Sequence, residues 1–462
     1  MEHLLVKAAI ALFSNRPKPI LDYLKKHFGR DPRKYPIVQT EFSPYRKACV
    51  YLALQRYLAR KHSKGMVLGL STTSDNRFGD LLHPDSYVQQ TAGPVQYENV
   101  TLSDGRNLSC AQQAIYLVRT NQGRFAVLLS PTWRHDERNV MVEVMAKDRK
   151  IAEDFLAELR LLADAHSIYR GQVICMKEVR RDLTVCFQNV PAINRSQVIL
   201  PNGVLQEIER HTSGFSNHRN LLLSRGRHLK RGLLLYGPPG TGKSLTIMYL
   251  LTQMPNRTTV LLSGRGVQHV EDACALARSL QPATVVIEDV DLVAEERTRM
   301  HHNPLLFELM NQMDGIADDA DVLFLLSTNR PEILEPALAS RPGRIDQAIM
   351  IPLPDEDCRT RLFELYAKEL PVAVNDMSKF VQSTEGASAA FIRELFRKAA
   401  LFAIEEGPEV YIQEWHLAQA LELLRSSLTG RLLGCEPKPE HDAGLLSVTY
   451  AEDLTETDSV AR

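Results

Sequence analysis

Apolar and polar positions along the chain change period several times. Tyr45–Lys61, YRKACVYLALQRYLARK, has helical spacing. At about 100° per residue, Arg46, Lys47, Arg56, Arg60 and Lys61 share one face with Tyr57 among them, and Ala48, Tyr51, Leu52 and Leu58 share the other. Leu4–Phe13 is also apolar and predicts a buried helix, being too short to cross a bilayer. Residues 1–65 are therefore expected to be a basic helical region, and 66–98, with Gly, Ser, Thr and Pro, a loop. In 99–194, QQAIYLVRT and RFAVLLSP predict strands joined at Asn121-Gln122-Gly123, and NVMVEVMA predicts a third. IAEDFLAELRLLADAH then sets Ile151, Phe155, Leu159 and Leu162 at helical spacing, before the strand-like GQVICMKEV and DLTVCFQNV. This segment is expected to be a small β-rich α+β domain. Over 195–355, GLLLYG, TTVLLSG, ATVVIED, DVLFLLST and QAIMIPL alternate with helical segments, the pattern of an α/β parallel sheet with flanking helices. Residues 356–430 read as helical throughout, and 431–462 as a disordered acidic tail.

Composition narrows this little. Of 462 residues, 44% are hydrophobic and 24% charged, as in a soluble multidomain protein. The net charge of −1 hides an asymmetry: residues 1–65 carry fourteen basic and four acidic side chains (+10), and 431–462 carry three and seven (−4). The basic start offers a face to nucleic acid, an anionic membrane or an acidic protein, beside the plain reading of a solvated helix face. Seven scattered cysteines with no C-x-x-C pair argue against a zinc site or a disulfide framework and fit a reducing, cytoplasmic compartment.

Candidate chemistry lies in 233–346. Gly237-Pro238-Pro239-Gly240-Thr241-Gly242-Lys243-Ser244, followed by Leu245, fits G-x-x-x-x-G-K-[ST] between a predicted strand and a predicted helix. Its glycines let backbone N–H groups converge on phosphate oxygens, Lys243 reaches the β- and γ-phosphates of ATP, and Ser244 offers a hydroxyl to Mg2+. ATVVIEDVD, Ala283–Asp291, ends a buried strand in carboxylates. In a phosphate-loop enzyme the first of these holds Mg2+ through water and the second polarises the attacking water. Glu288 and Asp289 occupy these places, in reverse of the usual Asp-Glu order. LFLLSTNRPEILEPALASRPGRID, Leu323–Asp346, brings Asn329 to a strand tip and places Arg341 and Arg344 around a Pro-Gly turn, where guanidiniums can act on a neighbour's nucleotide.

Together these motifs resemble the AAA ATPase family, in its branch with the second region of homology, over residues 195–430. Within it, RGLLLYGPPGTGKS, the Glu-Asp order and the preceding β-rich domain are most similar to the AAA ATPases that move a folded Rieske iron–sulfur protein across the mitochondrial inner membrane and to their bacterial relatives. The resemblance implies a P-loop core with a helical lid whose Gly386 and Ala387 touch nucleotide. It also implies ATP and Mg2+ as cofactors, a homo-oligomeric ring of six or seven subunits, and remodelling or translocation of an unknown protein partner. A slow ATP-gated scaffold and a nucleic-acid motor are the alternatives. Two local departures stand out: ALASRPGR is one residue longer than the family's ALLRPGR, and RGVQHVEDACALARSLQP lacks the aromatic pore loop of protein-threading members. The membrane helix that begins the mitochondrial proteins is not seen at the start of this sequence.

Overall fold

The computed structural model describes residues 18–60, 64–71, 76–82, 91–134, 137–179, 182–262, 268–291, 304–315, 320–332, 345–368, 370–407 and 411–426. The predicted helix Leu4–Phe13, Arg341, Arg344 and the tail 431–462 lie outside the described residues. The chain divides into two compact units, Met1–Leu353 and Pro354–Arg462.

The first unit opens with α1 (Ile20–Phe28), β1 (Ile37–Phe42), α2 (Lys47–Leu58), β2 (Lys64–Leu70), α3 (Phe78–Leu82), β3 (Ala92–Gly93), β4 (Gln96–Thr101), β5 (Asn107–Thr120), β6 (Gly123–Arg134), β7 (Glu137–Ala146) and α4 (Arg149–Ala165). The strands form an antiparallel sheet in the order β1-β7-β6-β5-β2-β3, with β4 also on β5. Alternation along β6 sends Phe125, Val127 and Leu129 to the core under α2 and α4, and Ala126 and Leu128 to the core under α1 and α3.

Three expectations change here. Residues 1–65 are not wholly helical: IVQTEF, bounded by Pro36 and Ser43-Pro44, is β1 and pairs with β7. Residues 66–98 are not one loop, since they contain most of β2, all of α3 and β3, and the start of β4. Within β2, Gly69 serves a close backbone approach; a Cβ there would stand 2.1 Å from the Pro94 carbonyl oxygen. The basic face of α2 is not free either. Arg46, Lys47 and Arg60 form ion pairs with Asp164, Glu98 and Glu158 of the same sheet domain. Tyr57, read as part of that face, is buried against the rings of Phe155 (4.9 Å) and Phe125 (6.3 Å).

The unit continues through β8 (Val173–Val179), β9 (Asp182–Phe187), α5 (Val204–Glu209), a π-helical turn at Arg210–Gly214, α6 (Phe215–Asn217), α7 (Arg219–Ser224), β10 (Arg231–Tyr236), α8 (Lys243–Gln253), β11 (Thr258–Leu262), α9 (Val270–Ser279), β12 (Ala283–Ile287), α10 (Pro304–Asp314), β13 (Val322–Thr328) and β14 (Gln347–Met350). These strands form a second sheet, β14-β10-β13-β12-β11-β8-β9, parallel from β14 through β8. The hairpin β8–β9, expected to belong to the β-rich domain, instead extends this sheet beside β11. Strand period fixes that these residues are strands; the sheet they join is set by distant bonds such as Thr259 N to Gln172 O and Gly171 N to Thr258 Oγ1. One face of the parallel sheet packs on α5 and α8; the core of the other, with α9 and α10, is continuous with that of the first sheet.

The second unit is helical: α11 (Glu356–Lys368), α12 (Ser378–Ser383), α13 (Ala389–Glu406) and α14 (Glu414–Ser426). Its core holds Phe363, Phe391, Phe396 and Leu417. Among the described residues, no helix is long and apolar enough to cross a membrane.

Candidate nucleotide site

The site is built where β10 ends. In the order β14-β10-β13-β12-β11, all parallel, the chain leaves β10 for β11 on one side and later lays β14 on the other, and this switch leaves a crevice at the carboxyl ends of the strands. Gly237 leaves β10 with φ 146°, and a Cβ on it would lie 2.1 Å from the Ile351 carbonyl oxygen. Only a glycine lets the loop pass this close to the segment after β14. Gly240 and Gly242 take left-handed conformations, and Thr241, buried, ties the loop to itself by donating to the Pro238 carbonyl at 3.0 Å. Pro238 and Pro239 stiffen the turn by fixing φ.

α8 starts at Lys243, whose side chain is 6% exposed. Its Nζ donates to the carbonyls of Gly237 and Pro238, both at 2.8 Å, so the loop folds over the ammonium group. Burial pushes the Lys243 pKa down, while the charges of Asp289 and Asp291 pull it up. Ser244 and Leu245 follow on the exposed side of the first turn of α8.

β13 lies between β10 and β12, so its tip stands between the phosphate loop and the acidic strand end. Asn329, just past that tip, donates from Nδ2 to Asp289 Oδ1 at 3.1 Å. Asp289 has φ 49°, left-handed and strained for a residue with a Cβ, and its N–H is held by Ser327 Oγ at 3.2 Å. Glu288 follows the end of β12, with Oε1 buried and without a hydrogen-bond partner among the described residues. A buried carboxylate oxygen left open suits a hard cation, so Glu288 and the Ser244 hydroxyl fit Mg2+ directly or through water.

Asp291, the last residue of ATVVIEDVD, is a functional position that the motif alone does not mark. It is 3% exposed, and its Oδ1 accepts from Thr328 Oγ1 at 2.8 Å and Asn329 N at 3.2 Å. Asp291 therefore anchors the backbone of Asn329 while Asp289 takes its amide. The available signal was a carboxylate two positions beyond Asp289, at the end of a strand too apolar to expose one.

In the second unit, Gly386 has φ 77° and Ala387 is fully buried. Ser388 caps α13 by accepting from Phe391 N at 3.2 Å. Gly386 and Ala387 thus form the tight entry to that helix.

Residues 233–353 match the family described as "ATPase family associated with various cellular activities (AAA)". Similar curated proteins include the proteasome-activating nucleotidase of Thermococcus onnurineus, 30% identical over 53% of this chain and 63% of that protein. That of Methanococcus vannielii is 33% identical over 41% of this chain and 50% of its own length. That of Methanococcus maripaludis strain C7 is 26% identical over 64% and 77%. The chain thus spans between half and two-thirds of the first two relatives. The matched span, residues 233–353, holds the parallel α/β core with the phosphate loop, the acidic strand end and Asn329 inside it, and in this span the chain is similar to AAA ATPases.

Proposed function

We propose that the protein binds ATP with Mg2+ in the crevice at the end of β10, hydrolyses it, and uses the cycle to remodel or translocate a protein partner. The observation that carries the reading is the buried Lys243 ammonium, folded under its own glycine loop and facing a carboxylate held by Asn329. In this reading Lys243 exchanges its two carbonyl contacts for phosphate oxygens. Glu288 and Ser244 hold Mg2+, which supplies positive charge against the phosphates. Asp289 accepts the proton of the attacking water, oriented by Asn329. Leu245 adds to the nucleotide contacts, and Arg341 and Arg344 act on a neighbour's nucleotide within a ring of six or seven subunits.

The named relatives are proteasome-activating nucleotidases, which favours a protein as the remodelled partner. None of the relatives described above belongs to the Rieske-translocating branch, so the proposal does not extend to that cargo. The internal ion pairs of Arg46, Lys47 and Arg60 remove most of the basic face on which a nucleic-acid motor would rest. The test is ATP turnover with an unfolded model protein, with single-stranded DNA and with neither. Stimulation by the protein substrate supports the reading. Stimulation by DNA alone, or turnover indifferent to both, overturns it.

A further inference from the structure

Two like charges face each other across the first sheet. In register, Arg119 of β5 stands opposite Arg124 of β6. Like charges at directly opposed positions destabilise a sheet. Arg124 has an internal use: its Nη1 donates to the His27 carbonyl at 2.8 Å, at the C-terminal end of α1. The Arg119 side chain is exposed and makes no hydrogen bond or ion pair among the described residues, and the same holds for the side chain of Lys26 of α1.

Arg119 and Lys26 line one recess. It has a volume of about 350 Å³ between α1 and strands β2 and β5, and its other walls are Tyr23, His27, Gly65, Met66 and Leu117. None of these lining residues is a carboxylate. His27 reports the field inside: its pKa is lowered to about 4, first by burial and further by the nearby charges of Arg119 and Arg124. It is therefore neutral at pH 7, with Nε2 bonded to the Phe125 carbonyl at 3.1 Å. Met66, 38% exposed, and buried Leu117 give the recess an apolar floor. An apolar floor with a phenol and two unopposed cations at the rim matches a ligand with a flat apolar body and one anionic group. On the α2 face, by contrast, three of the cations, Arg46, Lys47 and Arg60, already meet Asp164, Glu98 and Glu158.

We propose that the recess between α1 and β2–β5 binds a small amphipathic anion, a phosphate or carboxylate on an aromatic or aliphatic body. Lys26 and Arg119 hold the anion, and Tyr23, Met66 and Leu117 hold the body. The site lies on the first sheet and does not depend on the nucleotide reading.

The test is calorimetric titration of the full chain with 1-naphthyl phosphate, with 1-naphthol as the uncharged comparison and inorganic phosphate as the bodiless one. Saturable binding is expected for naphthyl phosphate, weakened about tenfold or more in Lys26→Glu/Arg119→Glu, since a charge-assisted contact has about that weight. Lys26→Arg should keep the affinity, and Lys25→Glu, on the same helix but outside the recess, should change it little. An unchanged thermal transition in each variant excludes unfolding as the cause. Absent binding, equal binding of 1-naphthol, equal binding of inorganic phosphate, or full affinity in the double variant overturns the proposal.

Discussion

At the residue scale, the site turns on side chains held by atoms far away in sequence. Asn329 joins Asp289 by its amide and Asp291 by its backbone N–H. Removing the Asp291 carboxylate should release Asn329 without touching the phosphate loop. Asp291→Asn is therefore expected to keep ATP affinity within about threefold and to lower single-turnover hydrolysis at least about tenfold, the weight of one charge-assisted hydrogen bond. Stopped-flow binding beside quenched-flow hydrolysis separates the two. The phosphate loop was legible in sequence because it is local: eight consecutive residues specify the turn, the donors and the lysine. The partnership of Asp291 with Thr328 and Asn329 was not, because it crosses from β12 to β13 and depends on which strands become neighbours.

At the element scale, buried polar groups fix how helices and strands meet. Arg257, just before β11, donates to Asp321 Oδ1 at 2.6 Å, to the Ala283 carbonyl at 2.6 Å and to Thr284 Oγ1 at 3.2 Å. Arg219 of α7 adds an ion pair to Asp321 at 2.7 Å. One carboxylate thus clamps the starts of β11, β12 and β13, at the opposite strand ends from the phosphate loop, and holds α7 to them. Asp321→Ala leaves the buried Arg257 without its anion and is expected to cost about 3–5 kcal/mol of stability, read by denaturant unfolding. A change under 1 kcal/mol would show that the clamp carries little.

His27 makes the contact of α1 with β6 sensitive to pH. Its folded pKa is about 4 against an ordinary 6.5, so the unfolded chain binds the proton more readily. The contribution of neutral His27 is complete above about pH 6.5 and is lost as pH falls toward 4, by on the order of 3 kcal/mol at most. His27→Gln, which keeps an N–H for the Phe125 carbonyl, should show a flatter fall of stability from pH 6.5 to 4 than the wild type. Parallel profiles would assign the acid sensitivity elsewhere. Helix α2, strands β5 to β7 and helix α4 were readable from apolar period. Strand β1 was missed because its six residues, bracketed by Pro36 and Ser43-Pro44, are too few to outweigh helical neighbours on both sides.

At the scale of the whole molecule, the chain divides at Leu353, where alternating strands and helices give way to helices alone. The place of β8–β9 was not legible in the sequence, since an edge strand reads the same whichever sheet accepts it. The ring reading is tested by mixing. Arg344→Ala keeps its phosphate loop, and Lys243→Ala keeps its arginines. If sites are shared between neighbours, each variant alone should be inactive and a mixture should recover part of the ATPase rate, because a trans arginine has a weight of roughly 10³–10⁵ in rate. Full activity of Arg344→Ala alone would place the site within one subunit.

The central claim is that Asp289, held by Asn329 at the end of β12, activates water against ATP bound by Lys243. Single-turnover hydrolysis with ATP binding measured on the same sample tests it most directly, in Asp289→Asn beside Glu288→Gln and Lys243→Ala. The account predicts that Lys243→Ala loses ATP binding. It predicts that Asp289→Asn binds ATP as the wild type does while hydrolysis falls about 10²–10⁴-fold, the range of a lost general base. Wild-type hydrolysis in Asp289→Asn, or trapping by Glu288→Gln in its place, would contradict it.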